Sequence, residues 1–193
     1  MRKICAISLT TFVFSTIATA QLPSGGDAFF SYSYVHGEAF SHSRAVQASG
    51  GTARMSGWEV SAEGKYLSWL GVVADLDWHY GGHNTTSCAP GGVCTRFRLN
   101  ASRDTLMFGP RASITSGKYR PFAEFLLGVA YQSDKGGGIS NSDLTKAFGF
   151  GGGLDYSLLP AVAARAQLHS IHTVFFGKSQ YDPRFSLGLV FRF

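Results

Sequence analysis

Residues 186–193 read SLGLVFRF, and the parity of this stretch decides the fold. Phe185, Leu187, Leu189, Phe191 and Phe193 share one parity, while Arg184, Ser186, Gly188 and Arg192 share the other, with Val190 the one apolar residue among them. Successive side chains of a strand point to opposite faces, so the stretch predicts a strand with one apolar face and one polar face, running to an aromatic last residue.

The same alternation recurs toward the N-terminus, over residues 161–171, 146–156, 121–132, 104–114, 70–80, 56–66 and 27–36. Residues 70–80 are the clearest case: Leu70, Val72, Ala74, Leu76, Trp78 and Tyr80 oppose Gly71, Val73, Asp75, Asp77 and His79. Eight strands follow. Three connections are short ("LSW", "TSGKYR" and "SLLP"), and they alternate with four long stretches rich in Gly, Ser and Asn. This predicts an all-β, eight-stranded antiparallel up-and-down transmembrane β-barrel, with short turns at one end and long extracellular loops at the other.

A soluble β-sandwich also has several short strands, but its polar face looks to water and has no reason to exclude lysine. Here the polar parity carries Glu59, Asp75, Asp77, Arg111, Glu124, Asp155, Arg165, Arg184 and Arg192, set among Gly and Ser. Arginine's planar fork suits paired, enclosed networks. The nine are therefore expected to line the interior as an ion network that plugs the lumen, since eight strands enclose little more than side chains. Trp58, Trp78, Tyr80, Tyr131, Tyr156 and Phe193 lie on the outward parity, as aromatic girdles.

The 193 residues suit one domain preceded by a leader. Residues 1–20, MRKICAISLTTFVFSTIATA, have a basic start, a short apolar run and an Ala-Thr-Ala end, the pattern of a secretory signal cleaved near Ala20. The barrel then occupies residues 21–193. Losing the cations Arg2 and Lys3 lowers the formal charge from +5 to +3. No basic run suggests nucleic acid as a partner. Cys88 and Cys94 flank a Pro-Gly-Gly turn and, in an oxidising compartment, are expected to form a disulfide. Their spacing does not suit zinc.

The segments "LMFGPRASI", "PFAEFLLGVAY", "FGFGGGLDYSL", "AARAQLHS" and "RFSLGLVFRF" are similar, in order and spacing, to the outer-membrane β-barrel domain family, whose members include small OmpA-like and OmpX-like eight-stranded proteins. The resemblance covers residues 27–193. It implies residence in the bacterial outer membrane, contact with its lipids and lipopolysaccharide, and recognition by the barrel-assembly machinery of a terminal signal that Leu189, Phe191 and Phe193 match. A scaffold of this kind does not specify a single function.

No catalytic, cofactor or metal site emerges. The glycines of "GFGGGLD" lie in an alternating strand, with neither the following helix nor the Lys-Ser/Thr of a phosphate loop. His36, His42, His79, His83, His169 and His172 fall in the outer half or the loops and read as strand-end polar residues. His169 and Ser170 point to opposite faces, whereas His172 shares the face of Ser170. Asp75, Asp77 and Glu124 could pair as catalytic carboxylates, but the four arginines balance them. The expectation is a non-enzymatic outer-membrane barrel of structural or surface-interaction type, meeting an external ligand through loops that carry Arg96 and Arg98. The alternatives are a narrow porin-like channel and, further off, a lipid A-modifying enzyme acting through Ser170.

Overall fold

The computed structural model describes residues 25–39, 42–43, 46–47, 51–88, 94–136, 139–175 and 177–193. The expected leader, residues 1–20, lies outside them. The strands are β1 (Gly25–Ala39), β2 (His42–Ser43), β3 (Val46–Gln47), β4 (Gly51–Lys65), β5 (Leu70–Cys88), β6 (Cys94–Ser113), β7 (Tyr119–Gly136), β8 (Ile139–Leu159), β9 (Val162–Phe175) and β10 (Lys178–Arg192). Strands β2 and β3 form a small separate hairpin, and the other eight close into one antiparallel barrel in which each strand pairs with its neighbours in the chain and β1 pairs with β10. The eight-stranded up-and-down architecture read from parity is the architecture found.

Closure fixes the stagger. Stepping across the ladder from Gly25, the partners are Lys65, Gly71, Arg111, Glu124, Gly151, His169 and Arg184, and the circuit returns to β1 at Val35, ten residues beyond its start. A stagger of this kind tilts the strands, and each hydrogen-bonded row winds round the cylinder as a shallow screw. Closure at the seam extends to the last residue, where Phe193 N–H donates to Gly26 C=O at 3.0 Å and Gly26 N–H donates to Phe193 C=O at 2.8 Å.

The loops read from composition need correction. The stretches 81–103, 133–145 and 172–184 are mostly strand: β5 and β6 stay in register to Cys88 and Cys94, β7 and β8 to Gly136 and Ile139, and β9 and β10 to Phe175 and Lys178. Beyond the apolar band both faces of a hairpin meet water, so the alternation that marks a strand disappears while the ladder continues. A glycine at positive φ tightens a turn at each end of the barrel, Gly117 (φ 59°) at the short-turn end and Gly177 (φ 78°) at the long-hairpin end.

The barrel is inside out relative to a soluble domain. Phe30, Trp58, Phe108, Phe125, Phe150, Leu168, Phe185 and Leu189 are exposed on its outer wall, and Phe193 is 81% exposed. The interior holds the charges, with apolar packing beside them in a cluster of Val73, Met107, Leu126, Ala130, Ala147, Ile171 and Phe175. Val190, the residue that breaks the polar parity of the last strand, packs inside with Phe29 and Ala163. Gly57 and Gly128 also face inward. A Cβ there would come within 1.7 Å of the Trp78 carbonyl oxygen and 1.9 Å of that of Leu106, so the coiled strands leave no room for a side chain.

Candidate functional site

The screw-like rows explain which charges meet. Arg111, Glu124, His169 and Arg184 belong to one circuit, with only Gly151 between Glu124 and His169, so they succeed one another around the wall. Arg111 Nε donates to Glu124 Oε2 at 2.5 Å. The other oxygen of Glu124 meets His169 Nε2 in a very short contact, and His169 Nδ1 lies 3.5 Å from Arg184 Nη2. A carboxylate only accepts and a guanidinium only donates, so His169 is protonated at Nε2 and accepts at Nδ1.

Arg184 is the hub of the middle layer. Its Nη1 donates to Asp75 Oδ1 at 2.8 Å and, more closely still, to Asp77 Oδ2, while its Nη2 lies 3.3 Å from Glu59 Oε1. Glu59 also accepts from Gln167 Nε2 at 2.5 Å and from the Ser186 hydroxyl. Asp77 accepts from His79 Nδ1 at 3.0 Å, and His79 Nε2 lies 2.9 Å from Ser33 Oγ. These contacts join β1, β4, β5, β9 and β10 across the interior, and Arg184, Glu59 and Asp75 have no exposed surface.

At the short-turn end, Arg165 grips Asp155 with both arms of its fork, Nε to Oδ1 at 2.6 Å and Nη2 to Oδ2 at 3.0 Å. Arg120 ion-pairs with Asp27, with Glu63 at 3.1 Å and with Asp155 at 3.2 Å. Arg111 reaches Glu63 at 3.2 Å, and Arg192 joins at the rim, 3.4 Å from Asp155. Phe122 lies between two guanidinium groups, Arg111 at 4.5 Å and Arg165 at 4.7 Å from its ring centre. Toward the long hairpins Arg103 bonds Asp182 and donates to Gln132 Oε1 at 3.0 Å.

The nine charged residues singled out from the sequence thus lie in the interior, eight of them buried and Arg192 partly exposed, and each makes at least one ion pair. Sequence reasoning missed Asp27, Arg103, Arg120 and Asp182, which lie in segments taken as strand ends, turns or loops, and left Glu63 out of the network although it shares the polar parity of Glu59. His79 and His169 need correction too: they are fully enclosed members of the network, not polar residues at strand ends. Among the histidines on the outer wall, His172 bonds Ser179 at 2.7 Å and packs its ring, tilted, against that of Tyr181 with ring centres 4.6 Å apart. The register sets Cys88 directly opposite Cys94, but their side chains and that of Arg96 lie outside what is described. Among the described residues, no group of three His, Cys, Asp or Glu side chains is placed to hold a metal ion.

No family model matches the chain, and no curated relative matches it by sequence. Solved structures do match. Ail of Yersinia pestis, in complex with the heparin analogue sucrose octasulfate, superposes with a TM-score of 0.56 at 17% identity, over 87% of this chain and 99% of that one. Neisserial surface protein A gives 0.54 at 16% identity, over 86% and 97%. OprG of Pseudomonas aeruginosa gives 0.53 at 9% identity, over 89% and 97%. The chain has the fold of the small outer-membrane β-barrels.

Proposed function

We propose that this chain is an integral outer-membrane barrel of the surface-interaction type, its lumen plugged by the ion network and its long hairpins presented to the exterior, without a catalytic centre. One observation carries the reading: Arg184 is bonded to carboxylates from two other strands, with no exposed surface, in the middle of the cylinder. Buried charges need such pairing, and a pathway for ions or solutes would have to break it. Planar-bilayer recording tests this. The native chain should show little steady conductance, and a stable open level of porin size would overturn the reading in favour of a channel.

The β5–β6 hairpin is the part offered to a partner. Its Arg96 and Arg98 are basic, and closure of its tip by a Cys88–Cys94 disulfide is supported by their facing positions. Ail was solved with a sulfated ligand, and a polyanionic partner would suit this hairpin equally. Replacing residues 84–98 by a short turn should leave the barrel folded and abolish binding to immobilised heparin; undiminished binding would locate the contact elsewhere. The lipid A-modifying alternative through Ser170 is tested by Ser170→Ala, which should leave the lipid A of the host unchanged.

A further inference from the structure

An unbroken chain of polar contacts runs through the sealed middle of the barrel. Asp77 Oδ1 meets His79 Nδ1 at 3.0 Å, His79 Nε2 meets Ser33 Oγ at 2.9 Å, Ser33 Oγ meets Ser186 Oγ at 3.0 Å, and Ser186 Oγ meets Glu59 Oε2 more closely still. All of these side chains are buried. Ser186, Ser33, Gly57 and His79 occupy one row, and because Gly57 carries no side chain, His79 reaches over β4 to a serine of β1. Glu59 and Asp77 are cross-strand partners in the neighbouring row, where Arg184 bridges them and closes the chain into a ring. Ser33 and Ser186 face each other across the β1–β10 seam.

Each contact needs a proton, and the chain is one short. With Glu59 and Asp77 ionised and His79 neutral, the imidazole and the two hydroxyls carry three protons for four contacts. The deficit is visible at Ser186, whose hydroxyl is within reach of both Ser33 and Glu59 but has a single hydrogen to give. Charge is short in the same place: Arg184 faces Glu59, Asp75 and Asp77, and Asp75 Oδ2 is enclosed without a hydrogen-bond partner. The remaining titratable or charged groups around the ring do not make up the difference. Arg103, the cross-strand partner of His79, is bonded to Asp182, His169 is bonded to Glu124, and Asp104 of β6 adds a further carboxylate within electrostatic reach of His79.

We propose that the middle of the plug is a proton-binding site, in which one additional proton completes the ring and is relayed by Ser33 and Ser186 between His79 Nε2 and Glu59 Oε2. In one arrangement His79 is an imidazolium that donates to Ser33, Ser33 donates to Ser186, and Ser186 donates to Glu59. In the other Glu59 is a carboxylic acid that donates to Ser186, Ser186 donates to Ser33, and Ser33 donates to His79. Passing from the first to the second, each donor hands its hydrogen to the next oxygen along, so no atom leaves the ring and its net charge is unchanged. Without the proton, two acceptors face each other at one of the contacts, and an unmade buried hydrogen bond is costly. The proton thus ties β4 and β5 to the two strands that close the barrel. The site rests on the sealed lumen of the reading above and not on any ligand of the hairpins.

The test uses the full-length chain folded in micelles at a pH of about 8, where a free carboxyl and a free imidazole have both lost their protons. Nitrogen-15 NMR reads whether His79 carries protons on both ring nitrogens, and infrared difference spectra against Glu59→Gln read whether Glu59 is a carboxylic acid. The two occupancies should sum to about one proton per chain. A neutral His79 together with an ionised Glu59 would overturn the site. Ser186→Ala removes two of the contacts and leaves two protons, on His79 Nδ1 and Ser33, for the two that remain. The additional proton should then be released, and proton uptake on folding from urea, followed with an indicator dye in weak buffer, should fall by about one per chain. Ser31→Ala, which removes a buried hydroxyl bonded to the Glu59 main-chain carbonyl, should keep the proton. A proton that persists in Ser186→Ala is held by crowded carboxylates alone and overturns the relay. Heat-modifiable gel mobility is read on every sample, and if Ser186→Ala does not fold, Ser33→Ala, with the same proton count, and the native spectra decide. A barrel that conducts refutes the sealed lumen, whereas a closed barrel without the additional proton refutes the relay alone.

Discussion

At the scale of single residues, the interior depends on matching rather than on any one strong bond. Removing Arg184 would strand Glu59, Asp75 and Asp77 without a shared cation. Breaking a buried pair by deleting one partner costs about 3–5 kcal/mol, so Arg184→Ala should lower the unfolding midpoint in urea, followed by heat-modifiable mobility in micelles. The glycines divide into two kinds. Gly128→Ala brings a methyl group against the Leu106 carbonyl and should abolish the folded band, whereas Gly177 has open space around it, so Gly177→Ala meets only the backbone penalty of about 1 kcal/mol and should fold. Parity alone placed nine charges on the inner face. It missed Asp27 because it stands at a strand end, and Arg120 because it lies in the stretch TSGKYR read as a turn; yet Arg120 shares the parity of Phe122 and Glu124, and Glu63 that of Glu59, which were usable signals.

At the scale of elements, sequence patterning located every barrel strand but not where each one ends. The alternation is legible only while one face meets an apolar phase, and β5 to β8 continue past that level as wet ladders of Gly, Ser, Asn and Thr. Composition reads such runs as loop, since turn residues and hairpin residues above a membrane share the same polarity. The register separates the part of the β5–β6 hairpin that serves the barrel from the part that does not. Pairing of β6 with β7 begins at Asn100, and pairing of β4 with β5 ends at Gly81, so residues 83–99 pair only with each other among the barrel strands. Replacing residues 84–98 by a short turn should therefore leave the unfolding free energy measured in urea within about 0.5 kcal/mol of the native chain's, as surface changes away from the core generally do.

At the scale of the whole molecule, the seam between β1 and β10 closes the barrel. Asp27 pairs with Arg192 across it, and the bonds between Gly26 and Phe193 complete it. Deleting Phe193 removes two main-chain bonds and an outward-facing aromatic together, and should slow insertion into vesicles without changing the strand content of the product, as followed by protease resistance and circular dichroism. The ten-residue stagger carries a further consequence. Because the charged row climbs from strand to strand and meets β1 again only after a full turn, Arg184 acquires its partners on β4 and β5 only when the ends of the sheet come together. An unrolled ribbon in hydrocarbon would hold naked guanidinium and carboxylate groups against lipid, a state too costly to dwell in. Passage into the bilayer and rolling up of the sheet are then expected to be a single concerted event, with no open ribbon left standing in the apolar phase.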